Sequence, residues 1–230
     1  MTRRTLFVHI GTHKTGTTSF QSALSERYYR LRARGTHVYM DDLRGQRVVN
    51  AVPTAHSVLR PSLRTPSRRA GAVGRGGVFV RARAMARMHR FLADDDAARF
   101  VVSAEAFCFA RDDAERARVR RLFERPGIEI VPLLCLREPA GWRRSWTAHL
   151  DRFEPKFRGS PGRGRDDIRG DWYYDTEAIR DFWSAVGDLR VIDYDAEVAA
   201  RGDVVPALFE AIGEGASAPS DGLFLNRGSD

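Results

Sequence analysis

The chain has 230 residues, 43% of them hydrophobic and 30% charged, proportions that suit one globular α/β domain and exclude wholesale disorder. Its net charge of +8 calls for anionic partners without naming them. No apolar run reaches the roughly 18 residues that cross a bilayer, so no membrane span is expected. The apolar stretch ahead of the first glycine is too short for a secretory leader. The two cysteines, Cys108 and Cys135, lie far apart without metal-site or disulfide spacing, and a reducing, cytoplasmic setting is the expectation.

In chain order, Thr5–Ile10 is a short apolar run with strand character, followed by the glycine-bounded loop Gly11-Thr12-His13-Lys14-Thr15-Gly16-Thr17-Thr18. Residues 17–34 place Phe20, Leu24, Tyr28 and Leu31 on one helical stripe, with Gly35 as its stop. Further strands are expected at His37–Met40, Phe100–Ser103, Ile128–Leu136 and Leu189–Tyr194. A helix at 139–153 opens on a proline and carries Trp142, Trp146, Leu150 and Phe153 on one side. A last helix is expected at 195–212. Residues 60–77 and 157–170, rich in Gly, Pro, Ser and Arg, read as basic loops, either solvated or serving as a mobile arm over an anionic substrate. This alternation predicts a single domain over 1–230, built on a doubly wound, mainly parallel five-stranded sheet flanked by helices. Ligands of such sheets bind beyond the carboxyl ends of the strands.

A strand running into a glycine-bounded turn and a helix N-terminus makes an anion site, because free backbone N–H groups and the helix dipole converge there. A capped corner without a ligand would account for the glycines, but not for the cation and the row of hydroxyls. All basic residues except Lys14 and Lys156 are arginine, so the lysine inside the loop stands out. Gly11 and Gly16 keep the spacing of the triphosphate P-loop, but Thr17 stands where that pattern has lysine. Neither Phe100–Ser103 nor Ile128–Leu136 offers an aspartate to help hold Mg²⁺. A P-loop kinase or NTPase is therefore the weaker alternative, and no metal site is expected.

The run His13-Lys-Thr-Gly-Thr-Thr-Ser19 after an apolar strand resembles the phosphosulfate loop of the sulfotransferase family, especially its bacterial members. Arg137-Glu-Pro139 with Ser145 eight residues after the arginine resembles that family's 3′-phosphate element. The resemblance covers 5–35 and 128–153 sharply, 100–107 and 189–213 more loosely, and 41–99 not at all. It implies 3′-phosphoadenosine-5′-phosphosulfate (PAPS) as co-substrate, with Lys14 on the oxygen bridging phosphate and sulfate. Thr12, His13, Thr15, Gly16, Thr17 and Thr18 would surround the 5′-phosphate, while Arg137 and Ser145 would take the 3′-phosphate. Arg137 could instead pair with Glu138. The acceptor would be a small molecule or a glycan bearing a hydroxyl or amine. The family's histidine or glutamate base has its counterpart in Glu105, with His13 and Glu26 as alternatives. The family's C-terminal R-K-G element has only Asn226-Arg227-Gly228 to match it. The arginine-rich surface alone would also suit a nucleic-acid binder, but that reading leaves Lys14, Arg137 and Ser145 unexplained, so no specific nucleic acid is expected as a partner.

Overall fold

Along β1 (Arg4–His9), Leu6 and Val8 are buried in one apolar cluster and Phe7 in another. The strand is therefore covered on both faces, and its neighbours repeat the alternation. In β5 (Arg99–Ser103), Phe100 and Val102 oppose Val101; in β6 (Ile128–Leu136), Ile130, Leu134 and Leu136 oppose Val131, Leu133 and Cys135. Double-sided burial is what makes such strands read as continuous apolar runs. The computed structural model describes residues 4–74, 76–153 and 164–215. Half of the second expected basic loop, residues 157–163, and Asn226–Gly228 lie outside them.

The sheet has the order β2-β5-β1-β6-β7, with β2 at Thr36–Val38 and β7 at Arg190–Asp193. All four pairings are parallel. This is the doubly wound, five-stranded arrangement expected from the sequence. The chain moves to one side after β1 and crosses to the other after β5, so the carboxyl ends of β5, β1 and β6 border the crevice where ligands of this architecture bind.

Two long helices expected from periodicity are each broken. Residues 17–34 form α1 (Thr17–Glu26) and α2 (Tyr28–Ala33), separated at Arg27, whose φ of −98° and ψ of 10° leave the helical region. The guanidinium of Arg27 lies 4.6 Å from the ring of Phe209. The C-terminal segment divides into α9 (Tyr194–Arg201) and α10 (Val205–Ala211). Gly202 ends α9 in the left-handed region at φ 76°, and Pro206 enters the first turn of α10.

The stretch 41–99 contains an antiparallel hairpin, β3 (Asp41–Leu43) and β4 (Gln46–Val48), and the helices α3 (Val52–Val58), α4 (Pro66–Arg69) and α5 (Val78–Leu92). Within the first expected basic loop, Thr65 caps α4, and Leu63, Thr65 and Val73 are buried. Two of its arginines face protein acceptors. Arg68 donates to the carbonyls of Arg60 (2.6 Å), Leu63 (2.9 Å) and His56 (3.1 Å). Arg60 donates to the buried carboxylate of Glu115 at 3.1 and 3.2 Å. Glu115 belongs to α6 (Asp113–Phe123), which opens on a capping box with Asp112. The remaining helices are α7 (Pro139–Phe153), with Trp142, Trp146 and Leu150 buried, and α8 (Thr176–Ser184). The side chain of Phe153 lies outside the described set. Among the described residues, no helix is long and apolar enough to cross a membrane.

Candidate active site

The loop after β1 is held by its own side chains. Thr12 donates through both its N–H (3.3 Å) and its hydroxyl (3.1 Å) to the carbonyl of Cys135, and Thr15 donates through its hydroxyl to the Thr12 carbonyl at 2.6 Å. Both threonines are fully buried, so their hydroxyls brace the loop and do not face the crevice. The two glycines are demanded by space. A Cβ on Gly11 would stand 2.6 Å from His9 Nε2, and one on Gly16 would stand 2.5 Å from Val204 Cγ1, with φ already at +77°. Lys14 adopts the left-handed conformation, at φ 69°. Helix α1 starts at Thr17 without a side-chain cap, leaving its first N–H groups for an outside acceptor. Thr18 is exposed there, and Thr17 is buried.

Strand β5 brings in the carboxylate. The Ala104 N–H donates to the His9 carbonyl at 3.0 Å, tying the ends of β1 and β5 together. Glu105 begins a 3-10 turn, Glu105–Phe109, directly beyond this tie. Protein surrounds its carboxyl, and about a quarter of the side-chain surface (27%) remains open. Burial pushes the Glu105 carboxyl up to about 7, against the opposite pull of the Thr17 hydroxyl and the Lys14 cation. Beneath it, the Ser103 hydroxyl lies 2.9 Å from His9 Nδ1 and accepts from Gln21 Nε2 at 3.0 Å, which joins β1, β5 and α1. His9 is held neutral by burial, at about 3.

His13 sits in an aromatic box. Its ring centroid is 4.1 Å from that of Trp146, 5.0 Å from Phe109 and 5.8 Å from Tyr173. Its Nδ1 lies 2.5 Å from the Tyr173 hydroxyl and its Nε2 3.8 Å from Glu105 Oε1. Burial first, then the fields of His149, His56 and Lys14, lower its pKa well below that of a free histidine. A neutral ring so enclosed can orient Glu105. Sequence reasoning missed Tyr173, Trp146 and Phe109, as well as His149. The half-buried His149 ring stacks on Trp146 at 5.2 Å, and its pKa is lowered by burial, Lys14 and Arg152. Glu26, the third candidate base, lies exposed at the far end of α1, accepting from Ser22 at 3.3 Å. Nine residues of helix put it about 13 Å along the axis from Thr17, so it is not part of this crevice.

Arg137 follows directly on β6, the strand next to β1. Glu138 feels the charge of Arg137 but forms no ion pair with it among the described residues. The Glu138 carboxylate accepts from the N–H groups of Ala140 (2.9 Å) and Gly141 (2.7 Å), and these bonds, capping the start of α7, lower its pKa. Arg137 instead lies with Nε 3.6 Å from Asp195 Oδ1 and its guanidinium 5.3 Å from the ring of Tyr194. The pair is partly exposed, so a stronger anion can compete for the arginine. Ser145, half-buried, lies under two turns into α7, between Trp142 and Trp146.

Neither a scan against protein-family models nor a search of curated proteins finds a match. Among solved structures, the chain is similar to the crystal structure of a sulfotransferase from Alicyclobacillus acidocaldarius. The TM-score is 0.54 and the identity 16%, over 95% of this chain and 84% of that one. At that identity the likeness is one of architecture: the chain has a sulfotransferase-like fold.

Proposed function

We propose that the chain transfers a sulfuryl group from PAPS to a hydroxyl or amine of a small-molecule or glycan acceptor. The observation that carries this reading is the meeting of a cation and a raised carboxyl. Lys14 stands on an uncapped phosphate loop, close enough to Glu105 to act on its ionisation. The donor set fits the nucleotide. The N–H groups of Gly16, Thr17 and Thr18, with the Thr18 hydroxyl, would hold the 5′-phosphate, and Arg137 with Ser145 the 3′-phosphate. When bound, PAPS supplies an activated sulfuryl group on a phosphate leaving group. Glu105, ionised, takes the proton from the acceptor as the new bond from sulfur to the acceptor oxygen or nitrogen forms. Lys14 stabilises the charge gathering on the bridging oxygen as the old S–O bond breaks. His13, pinned between Trp146 and the Tyr173 hydroxyl, positions the carboxylate, and Thr12 and Thr15 keep the loop in shape.

Thermal unfolding with 3′-phosphoadenosine 5′-phosphate (PAP), PAPS, ATP and AMP, with and without Mg²⁺, tests the proposal. PAP and PAPS should raise the midpoint without metal, and more than AMP does. Ligand at a hundred times its Kd adds about 2.7 kcal/mol, roughly 5–10 °C for a domain of this size. Equal shifts from PAP and AMP would remove Arg137 and Ser145 from the 3′-phosphate. A response to ATP and Mg²⁺ alone would replace sulfuryl transfer with phosphoryl transfer.

A further inference from the structure

Helix α5 has two unlike sides. Ala84, Met88 and Leu92 are buried, while Phe79, Arg83, Ala86 and Arg90 form an exposed stripe at i, i+4, i+7 and i+11. Its first turn carries Val78, Phe79 and Val80, exposed to 72%, 91% and 48%. Three of the five large apolar side chains most open to solvent among the described residues are thus consecutive. Single exposed apolar residues need no explanation, but a contiguous cluster at the tip of a helix does.

The charge around the cluster has one sign. Helix α5 contains Arg81, Arg83, Arg87 and Arg90 and no carboxylate. Arg87 is 3.5 Å from Asp41, which anchors the helix to the β3–β4 hairpin. Asp41 is buried, and Asp42 accepts from the Gly45 N–H, so each hairpin acid has a use within the hairpin or against α5. The next acids along the chain, Asp94 to Asp96, follow the other end of α5, about 20 Å from Phe79 by helix rise. Asp94 faces His37 and Arg32, and Asp95 faces Arg4.

An exposed aromatic and two valines at a helix tip, bordered by arginines, match an anionic lipid surface. The ring and valines enter the headgroup boundary while the guanidinium groups meet lipid phosphates. We infer that the N-terminal turn of α5, with Phe79 as its wedge and Arg81 and Arg83 beside it, docks the protein on membranes containing anionic lipid. The inference is independent of the chemistry proposed for the crevice.

Co-sedimentation of the full chain with vesicles tests the inference without any acceptor. Vesicles of phosphatidylcholine with phosphatidylglycerol should bind the protein, and phosphatidylcholine alone should bind it far less. Phe79→Ser should weaken binding roughly tenfold, the scale for withdrawing one aromatic side chain from an apolar phase. Each of Arg81→Glu and Arg83→Glu should weaken it at least fivefold, the value of about one charge at such a surface. Phe79 is nearly fully exposed, so Phe79→Ser should leave the melting temperature unchanged, and binding lost together with that temperature would overturn the inference. Absence of binding to anionic vesicles would overturn it as well. So would binding that Phe79→Ser leaves intact, which would reduce the contact to overall positive charge. Self-association that Phe79→Ser abolishes, without vesicle binding, would assign the patch to a second copy of the chain and also overturn it.

Discussion

Lys14 holds a left-handed backbone at the turn of its loop, a conformation that costs a side-chain-bearing residue about 1–2 kcal/mol. Under the proposed chemistry its interaction strengthens as the leaving group charges, so its loss falls on turnover more than on affinity. Lys14→Ala should lower turnover roughly 10²–10³-fold, as when one charge-stabilising donor is removed from other sites. PAPS hydrolysis measured beside calorimetric PAP affinity separates the two effects, and unchanged hydrolysis with weakened binding would leave Lys14 a phosphate anchor. Glu105 makes a second prediction at this scale. A general base must be ionised, so activity should rise with pH and level off above about 7, where burial has placed its carboxyl. Glu105→Gln should lose both the rate and that acidic limb; a pH profile that keeps the limb would move the base elsewhere, with His149 next in line. Gly16, Lys14 and Glu105 could be picked out beforehand because each stands in a local pattern at a strand end. Tyr173 could not: it reaches His13 across 160 residues of sequence, and nothing near it marks the contact.

At the scale of elements, the parallel strands were readable because burial on both faces writes them as apolar runs, and Ile128–Leu136 has the expected limits. The break at Arg27 was not, because the apolar stripe continues across it and only backbone geometry ends the helix. The one at Gly202 had a glycine stop and a proline start in the sequence, but α9 buries no side chain, so no apolar stripe shows where one helix gives way to the next. The α6 region shows how a polar element is fixed instead. Glu115, fully buried, accepts from the N–H groups of Arg60 (2.7 Å), Arg111 (2.7 Å) and Asp112 (3.2 Å) and from the Arg60 guanidinium. One carboxylate thus fastens the start of α6 to the segment leading into α4. Removing it leaves a largely buried arginine and several N–H groups without their acceptor. Glu115→Ala should therefore destabilise the fold by about 3–5 kcal/mol, the range for breaking one side of a buried ion pair. The exposed Glu124 beyond the same helix provides the control, since its replacement should change stability by no more than about 0.5 kcal/mol. Urea unfolding of both variants decides the matter. A Glu115→Ala protein as stable as the control would mean that water replaces the carboxylate at no cost.

Across the whole molecule, the buried ionisable groups set an asymmetric dependence on pH. Burial lowers His9 to about 3, His56 to about 4, and His13 well below the free value of 6.5. All three stay neutral in the fold while they take up protons in the unfolded chain. Groups lowered in this way stabilise the fold above pH 6.5, and that contribution drains away as pH falls from 6.5 towards their folded values. Glu105 acts in the opposite sense. Raised from 4.5 to about 7, it favours the fold at low pH and loses that contribution as pH rises through 7. Near pH 5 the three histidines together contribute a slope of about 4 kcal/mol per pH unit, and Glu105 offsets about 1 of it. The net loss on going from pH 6 to pH 5 is then about 2–3 kcal/mol, a large part of the 5–15 kcal/mol typical of a domain. The urea midpoint should accordingly fall steeply between pH 6 and 5 and change little between 7 and 8. His56, bonded to the Val52 carbonyl and the Thr65 hydroxyl at 2.9 and 2.8 Å, lies farther from the catalytic groups than His13 and is the one to replace. His56→Gln should remove about a third of the slope from the histidines, whatever it does to stability at pH 7. A midpoint that stays level down to pH 5, or a slope that His56→Gln leaves untouched, would mean that these rings are protonated inside the fold, and the neutral His13 on which the placement of Glu105 rests would fall with them.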